Sequence, residues 1–493
     1  MRRRFVSLVI GIFALSLLAS SAWSDNDLTG TWTGQITDPM SGKHDIVLRL
    51  KTEGGKITGT LKGGPPRGEE QPIEDAHLDG DQLSFKVEAQ GPGGERVVLL
   101  YEGKVTGNHI QGTHEGPHLG PGQGESVPWE VTKVATPPAV LSESGAIAAL
   151  KTELGEQATG GRFSGAVLVA KAGKPVFQAA YGNADCERKI TNTEATKFRF
   201  GSMGKMFTAV AVMQLAQAGK IKLEDPIAKY LPNYPNKEVS AVTIYQLLTH
   251  TGGTGDIFGP EFDAHRPELK TLKDYVTLYG ERGLRFKPGG KWEYSNYGFV
   301  LLGRIIEVTS GQSYYDYVRD HIFNPTGMSS TGNLPEEEHV QDLATGYIRG
   351  GPGAGPGGPG EHPPEQSVPL RSTAGDLPYR GTSAGGGYST VTDFLRFATA
   401  LTSNRLLDAQ YTEVLTTGKV ITPRPRAKYA FGFEDETTAD DVRFFGHGGG
   451  APGMNGRMSI FPASGYVIVV LANLDPPAAD TIAQFIEQRL PVK

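Results

Sequence analysis

A change of periodicity divides this chain in two. From Asp27 to about Val134 apolar and polar side chains alternate: Ile46, Leu48 and Leu50 share one face against Val47, Arg49 and Lys51, and Leu83, Phe85 and Val87 repeat the pattern after the turn Asp79-Gly80. Alternation with period two belongs to half-buried strands and does not fit a helix. Further strands are expected around Thr31, Ile57, Val98, Val105 and Trp129, separated by glycine-rich turns. About eight strands in roughly a hundred residues suit a closed barrel or a sandwich, so 25–134 reads as a small all-β domain.

Ala135-Thr136-Pro137-Pro138 opens a short stiff linker, 135–142, and from 143 to 493 the pattern mixes helix and strand. Ser144 to Gln157 reads as a helix with Ser144 as its N-cap. A hairpin follows, Gly165 to Val169 and Val176 to Gln178, turned at Ala172-Gly173-Lys174. Near the far end, Arg457 to Phe461 and Tyr466 to Leu471 form a second hairpin before a helix from about Ala478 to Arg489. Strands at both ends of a largely helical segment imply an α+β domain, with one antiparallel sheet closed by both ends and a helical lobe inserted. Within the middle, Gly350 to Gly360 is nearly all Gly and Pro and reads as a surface loop. A length of 493 residues suits two cores better than one.

The first 24 residues differ in kind. Arg2, Arg3 and Arg4 precede the apolar run Phe5 to Leu18 and the small residues Ala19 to Ala22, the pattern of an export signal cleaved after Ala22 or Ser24, by either a general or a twin-arginine route. The run is short for a bilayer span, so no transmembrane anchor is expected in the mature chain, which should be periplasmic or secreted. Losing the three arginines takes the formal charge from -6 to -9 and argues against nucleic-acid binding. Cys186 is the single cysteine and has no His partner nearby in sequence, so it reads as a bystander. The histidines are scattered without ligand spacing to carboxylates, so no metal or other cofactor is expected.

Chemistry concentrates in the second domain. Ser202-Met203-Gly204-Lys205 places a hydroxyl and an amine three residues apart, at the start of a helix that runs to Gln217 and is closed by Gly219. Burial lowers an amine's pKa until it can take the hydroxyl proton, which would make Ser202 a nucleophile. Tyr294-Ser295-Asn296, ahead of the helical run Gly298 to Val308, offers a phenol and an amide. Tyr-x-Asn recurs at Tyr181-Gly182-Asn183 and Tyr234-Pro235-Asn236, and the setting after Trp292 and Glu293 selects the third copy. His447-Gly448-Gly449-Gly450 lies before the strand Arg457 to Phe461, where glycines let backbone approach a substrate. A backbone N–H near Gly450 would pair with that of Ser202 as an oxyanion hole. Other His-x-Gly matches occur at His114, His118 and His250. The first two fall in the β-domain, and His250 ends a helix, where it reads as a packed structural histidine.

Taken in order, Phe198 to Lys205, Leu247 to Gly253, Tyr294 to Asn296 and Gly446 to Gly453 resemble the motifs of the class C β-lactamase-like serine hydrolases, a group that includes penicillin-binding carboxypeptidases, esterases and D-amino-acid peptidases. The resemblance covers about Leu141 to Lys493. It implies Ser202 as nucleophile, Lys205 and Tyr294 as the pair that transfers its proton, and the segment at His447 as one wall of the site. From the residues themselves, His447 is expected to contact substrate or leaving group, with Asn296, Gly449 and Gly450 at the substrate or oxyanion. One departure bears on substrate. Members that act on penicillins usually carry Lys-Thr-Gly in the third motif, whereas His447-Gly448-Gly449 has neither a fixed cation nor a hydroxyl for a substrate carboxylate. An ester or peptide-like amide is therefore expected in preference to a β-lactam. Separately, Gly30-Thr31-Trp32 resembles the first strand of lipocalin-type barrels, and the β-domain reads as a structural or docking module for an unknown partner.

Two rival readings arise. Gly381-Thr382-Ser383-Ala384-Gly385 matches the Gly-x-Ser-x-Gly nucleophile elbow, but Ser372 to Arg380 before it is a polar, proline-containing loop and not a buried strand. The second is an envelope protein that acylates but fails to deacylate, and so binds peptidoglycan-like peptides.

Overall fold

The computed structural model describes residues 27–38, 42–63, 70–90, 96–115, 126–134, 138–349 and 369–493. The expected export signal, His118, the loop Gly350 to Gly360 and linker residues 135–137 lie outside them. The chain forms two compact units, Met1–Pro137 and Pro138–Lys493.

The first unit is a closed antiparallel barrel of strands β1 (Gly30–Asp38), β2 (Gly42–Glu53), β3 (Lys56–Gly63), β4 (Gln71–Asp79), β5 (Gln82–Gln90), β6 (Arg96–Thr106), β7 (His109–Glu115) and β8 (Val127–Lys133), each paired with the next and β8 closing on β1. The alternation read from the sequence sets its inside. Ile46, Leu48, Leu50, Leu83, Phe85 and Val87 are buried in a core with Trp32, Tyr101 and Trp129. Buried indoles need acceptors: Trp32 Nε1 donates to Leu28 O at 3.0 Å and Trp129 Nε1 to Glu102 O at 3.2 Å.

The second unit opens with helix α1 (Glu143–Thr159), capped by Ser142 and not by the expected Ser144. Its antiparallel sheet joins β9 (Gly165–Lys171) and β10 (Lys174–Tyr181) to β11 (Val420–Ile421), β12 (Ala427–Tyr429), β13 (Glu434–Thr437), β14 (Arg443–Ala451), β15 (Met454–Phe461) and β16 (Tyr466–Ala472), in the spatial order β10-β9-β16-β15-β14-β13-β12-β11. The runs Ala166-Val167-Leu168-Val169 and Val467-Ile468-Val469-Val470-Leu471 are apolar without alternation because both faces are covered. On one side α1 and the C-terminal helix pack against Val167, Val169, Ile468 and Val470. On the other, Ala166, Leu168, Val469 and Leu471 join the core of the helical lobe.

At the centre of that lobe is α2 (Gly204–Gln217), buried from Gly204 to Val212 on all sides, as expected of a helix apolar all round. It packs on α4 (Asn296–Ser310), capped by Ser295; between them in sequence lies the short α3 (Ile244–Leu248). Later come α5 (Val391–Thr402), capped by Thr390 through the N–H of Asp393, and α6 (Ala478–Glu487). No helix among the described residues is long and apolar enough to cross a membrane.

Two features of this frame create a cleft. First, pairing of β13 with β14 stops at Glu434 opposite Gly446, so His447 onward forms an inner edge against the turn Gly201–Met203. The glycine-rich segment is thus part of strand β14 itself. Second, the approach is too close for a side chain. A Cβ on Gly449 would overlap the Phe200 carbonyl oxygen and stand 3.0 Å from Ser202 N, and one on Gly201, whose φ is +53°, would stand 3.0 Å from Gly450 N. Gly449→Val should therefore push β14 off the turn, lowering stability by about 1–3 kcal/mol as overpacking does and slowing modification of Ser202 by a serine-directed phosphonate at least tenfold; thermal melts and labelling rates check this, and wild-type values in both would contradict it.

Candidate active site

Ser202 lies in a 3₁₀ turn, Gly201–Met203, one step ahead of α2 and not in its first turn, while Lys205 is the second residue of the helix. The turn is held to the segment Ala384–Gly387: Gly386 N donates to Gly201 O at 3.0 Å and Phe200 N to Gly387 O at 3.0 Å. Lys205 is 0% exposed. Its Nζ stands 2.7 Å from Asn296 Oδ1, 2.6 Å from Ala384 O and 3.2 Å from Ser202 Oγ.

A neutral amine can meet all three partners. An uncharged –NH₂ has two protons to donate and one lone pair: the protons suit the two carbonyl-type oxygens, and the lone pair then faces the Ser202 hydroxyl. Burial brings the Lys205 pKa down to about 7, against the opposing effect of the Asp256 carboxylate. The arrangement can accept a proton from Ser202 near neutral pH.

Asn296 was expected at the substrate. Its amide is instead committed inside the protein, Oδ1 to Lys205 and Nδ2 donating to both oxygens of Asp256 at 2.9 and 3.1 Å. A carboxylate only accepts, so Asp256 fixes the orientation of the amide and turns Oδ1 toward the lysine. Asp256 is itself set by the N–H groups of Ile257 and Phe258 at 2.6 and 3.1 Å.

Tyr294 comes to the same place from the residue before the cap of α4. Its ring centroid is 4.7 Å from Lys205 Nζ, and its phenol lies near enough to the Ser202 side chain to be influenced by it. Burial raises the phenol well above its ordinary pKa, with the Ser202 contact working the other way. The phenol is protonated at physiological pH, so Tyr294 can hand on a proton but is not a resident phenolate base.

His447 faces the site from β14, its ring 6.5 Å from that of Tyr294. The expected contact with substrate or leaving group meets a barrier: the residue is 2% exposed and both ring nitrogens are engaged, Nδ1 with Gly448 O and Nε2 with the Tyr429 hydroxyl at 2.9 Å. Burial lowers its pKa to about 4, although Glu434 works to raise it. A neutral Nδ1–H imidazole accepting from Tyr429 satisfies both contacts. Gly449 and Gly450 border the Ser202 turn as described. Asn455 anchors that wall, its Nδ2 donating to Gly449 O and to Asp480, both at 2.9 Å.

Ser383 is 0% exposed, its hydroxyl has no hydrogen-bond partner among the described residues, and its carbonyl accepts from Thr208 Oγ1 at 2.7 Å. It lies in an irregular segment and no strand leads directly into it, which removes the nucleophile-elbow reading. Asp256, Tyr429 and the Ala384 carbonyl were missed in the sequence. Only Asp256 carried a signal, as an acid in the glycine-rich stretch after the motif Leu247 to Gly253.

Comparison with known proteins places this site in a family. Residues 148–492 match the sequence model of the family described as Beta-lactamase. Penicillin-binding protein 4* of Bacillus subtilis is 29% identical over 323 residues, 63% of this chain and 68% of that protein. Among solved structures, a penicillin binding protein from Bacillus halodurans has a TM-score of 0.59 at 30% identity, covering 68% of this chain and 98% of its own. A D-stereospecific amidohydrolase from a Streptomyces species has a TM-score of 0.56 at 25% identity, covering 70% and 99%. The match takes in Ser202, Lys205, Tyr294 and the β14 wall together, and the chain accordingly belongs to the beta-lactamase family as one of its serine hydrolases.

Proposed function

We propose that this protein is an exported hydrolase that cleaves an ester or a peptide-like amide through an acyl-enzyme on Ser202. The observation that carries the reading is the fully buried Lys205 amine, its Nζ 3.2 Å from the Ser202 hydroxyl. Lys205 takes the Ser202 proton as Oγ attacks the substrate carbonyl. Backbone N–H groups of Ser202 and Gly450 would receive the developing oxyanion, a term of about 3–4 kcal/mol per donor in such sites. Collapse breaks the bond to the leaving alkoxide or amine, which receives the Tyr294 phenolic proton, and Lys205 returns its proton to the phenol. Water then attacks the ester, gives a proton to the same pair, and releases the acid and free Ser202.

The third motif supports the choice of substrate. His447 is neutral and buried, so the position that holds a cation in penicillin-directed members has none here. The D-stereospecific amidohydrolase among the structural neighbours is consistent with an amide substrate of D-configuration. Export rests on Arg2 to Leu18.

Five outcomes test this reading. A fluorophosphonate probe should label the wild type and Ser383→Ala but not Ser202→Ala, the reverse sinks the assignment, and labelling without turnover of any substrate would favour a protein that only traps acyl groups. Tyr294→Phe should lower kcat by roughly 10²–10⁴, the usual worth of positioned proton transfer. In a panel of a short-chain nitrophenyl ester, a D-Ala-D-Ala peptide and a cephalosporin, the ester or the peptide should be turned over with a kcat/KM at least tenfold above that of the cephalosporin; a preferred cephalosporin contradicts the substrate reading. The active form has Lys205 neutral, so kcat/KM should rise with pH through about 7. Asp256 raises the Lys205 pKa, so Asp256→Asn should move that limb to lower pH, and an unmoved or upward-shifted limb in a pH-rate profile would contradict the assignment.

A further inference from the structure

His250 takes no part in the steps above, yet it grips the chain on both sides of Tyr294. Its carbonyl accepts from Glu293 N–H at 3.0 Å and its Nδ1 accepts from Ser295 N–H at 3.1 Å. Between those two bonds lies Tyr294, whose ring centroid is 4.3 Å from that of the imidazole. The backbone there is unusual: His250 has φ +59°, a left-handed conformation that His and Asn adopt more readily than most side chains. It follows the end of α3, and this turn brings carbonyl and ring to bear on one strand of chain.

The ring's state is fixed by its contacts. An Nδ1 that accepts an N–H bond carries no proton, which leaves the proton on Nε2, where no hydrogen-bond partner exists among the described residues. The residue is 1% exposed and walled by Phe299 at 5.1 Å, Tyr429 at 4.5 Å and Trp292 at 6.1 Å between ring centroids. Burial first, with a lesser effect from the neighbouring Lys205 and His447, pushes its pKa well below the ordinary value. Simple packing would require the apolar faces of the ring; it would not require an acceptor aimed at the backbone next to Tyr294.

We propose that His250 is a positioning residue for Tyr294: by accepting from Ser295 N–H through Nδ1 and from Glu293 N–H through its carbonyl, it holds the phenol where it can exchange a proton with Ser202. The proposal rests on Tyr294 being the proton carrier of the acylation step. Among the described residues His250 makes no hydrogen bond to Ser202 or Lys205, so its effect should appear in kcat and pass through Tyr294.

The test is a double-mutant cycle with a nitrophenyl ester, full-length protein and melting temperatures for each variant. His250→Asn keeps an acceptor at the position of Nδ1 and tolerates the left-handed backbone; His250→Ala loses both, and if it does not fold, His250→Gly, which accepts φ +59° but offers no acceptor, replaces it. His250→Ala should lower kcat at least tenfold with KM within threefold, and His250→Asn should recover most of that loss. In a Tyr294→Phe background the same replacement of His250 should change kcat by less than twofold. An equal loss in both backgrounds, or Asn no better than Ala, would overturn the proposal and leave a purely structural histidine. If Tyr294→Phe alone turns over like wild type, the assignment of Tyr294 fails, and with it any role of His250 through that phenol.

Discussion

Everything around the cleft depends on keeping one amine out of water. A charged ammonium in such a place would cost several kcal/mol; burial draws the Lys205 pKa down to about 7, and the amine has a full set of partners. Those partners come from three separate parts of the chain: the 3₁₀ turn of Ser202, the first residue of α4 and the Ala384 carbonyl. The fold can be read as the means of bringing them together. A wholly buried α2 fixes where the lysine starts, α4 packed against it delivers Asn296, and backbone hydrogen bonds hold the Ala384–Gly387 segment to the turn.

The β14 wall solves a different problem. Backbone must come within reach of Ser202 without a side chain in between, and Gly449, with Gly201 facing it, permits it. The cost is a stretch, Gly448 to Gly450, with no side-chain packing of its own. Asn455 offsets this by tying the Gly449 carbonyl to Asp480, and its Oδ1 accepts from Ala479 N at the start of α6. His447 belongs to the same wall and is tied down by Tyr429.

Much of this architecture is legible in the sequence because it depends on local periodicity. Ile46, Leu48 and Leu50 declare a barrel strand, and the unbroken apolar run Val467 to Leu471 declares a strand covered on both faces. Ser202, Lys205 and Tyr294 are legible because side-chain chemistry repeats in recognisable spacing. What is not legible is long-range partnering. Asn296 reads as a substrate ligand until Asp256, forty residues earlier, is seen to take its Nδ2. Ala384 carries no side-chain signal at all, since it acts through its carbonyl. His447 reads as a substrate contact because nothing near it in sequence announces Tyr429. The cap of α1 slips from Ser144 to Ser142 because two serines two residues apart compete for the same role.

The neutral, buried lysine is open to direct observation. Carbon-13 labelling of lysine, with the Lys205 signal assigned by its loss in Lys205→Met, lets the shift of its Cε be followed from pH 5 to 11. A midpoint near 7, well separated from the other lysines, is the predicted result. A midpoint near the ordinary value of about 10.4 would mean that Lys205 is a charged structural residue, and would contradict its part as the base that activates Ser202.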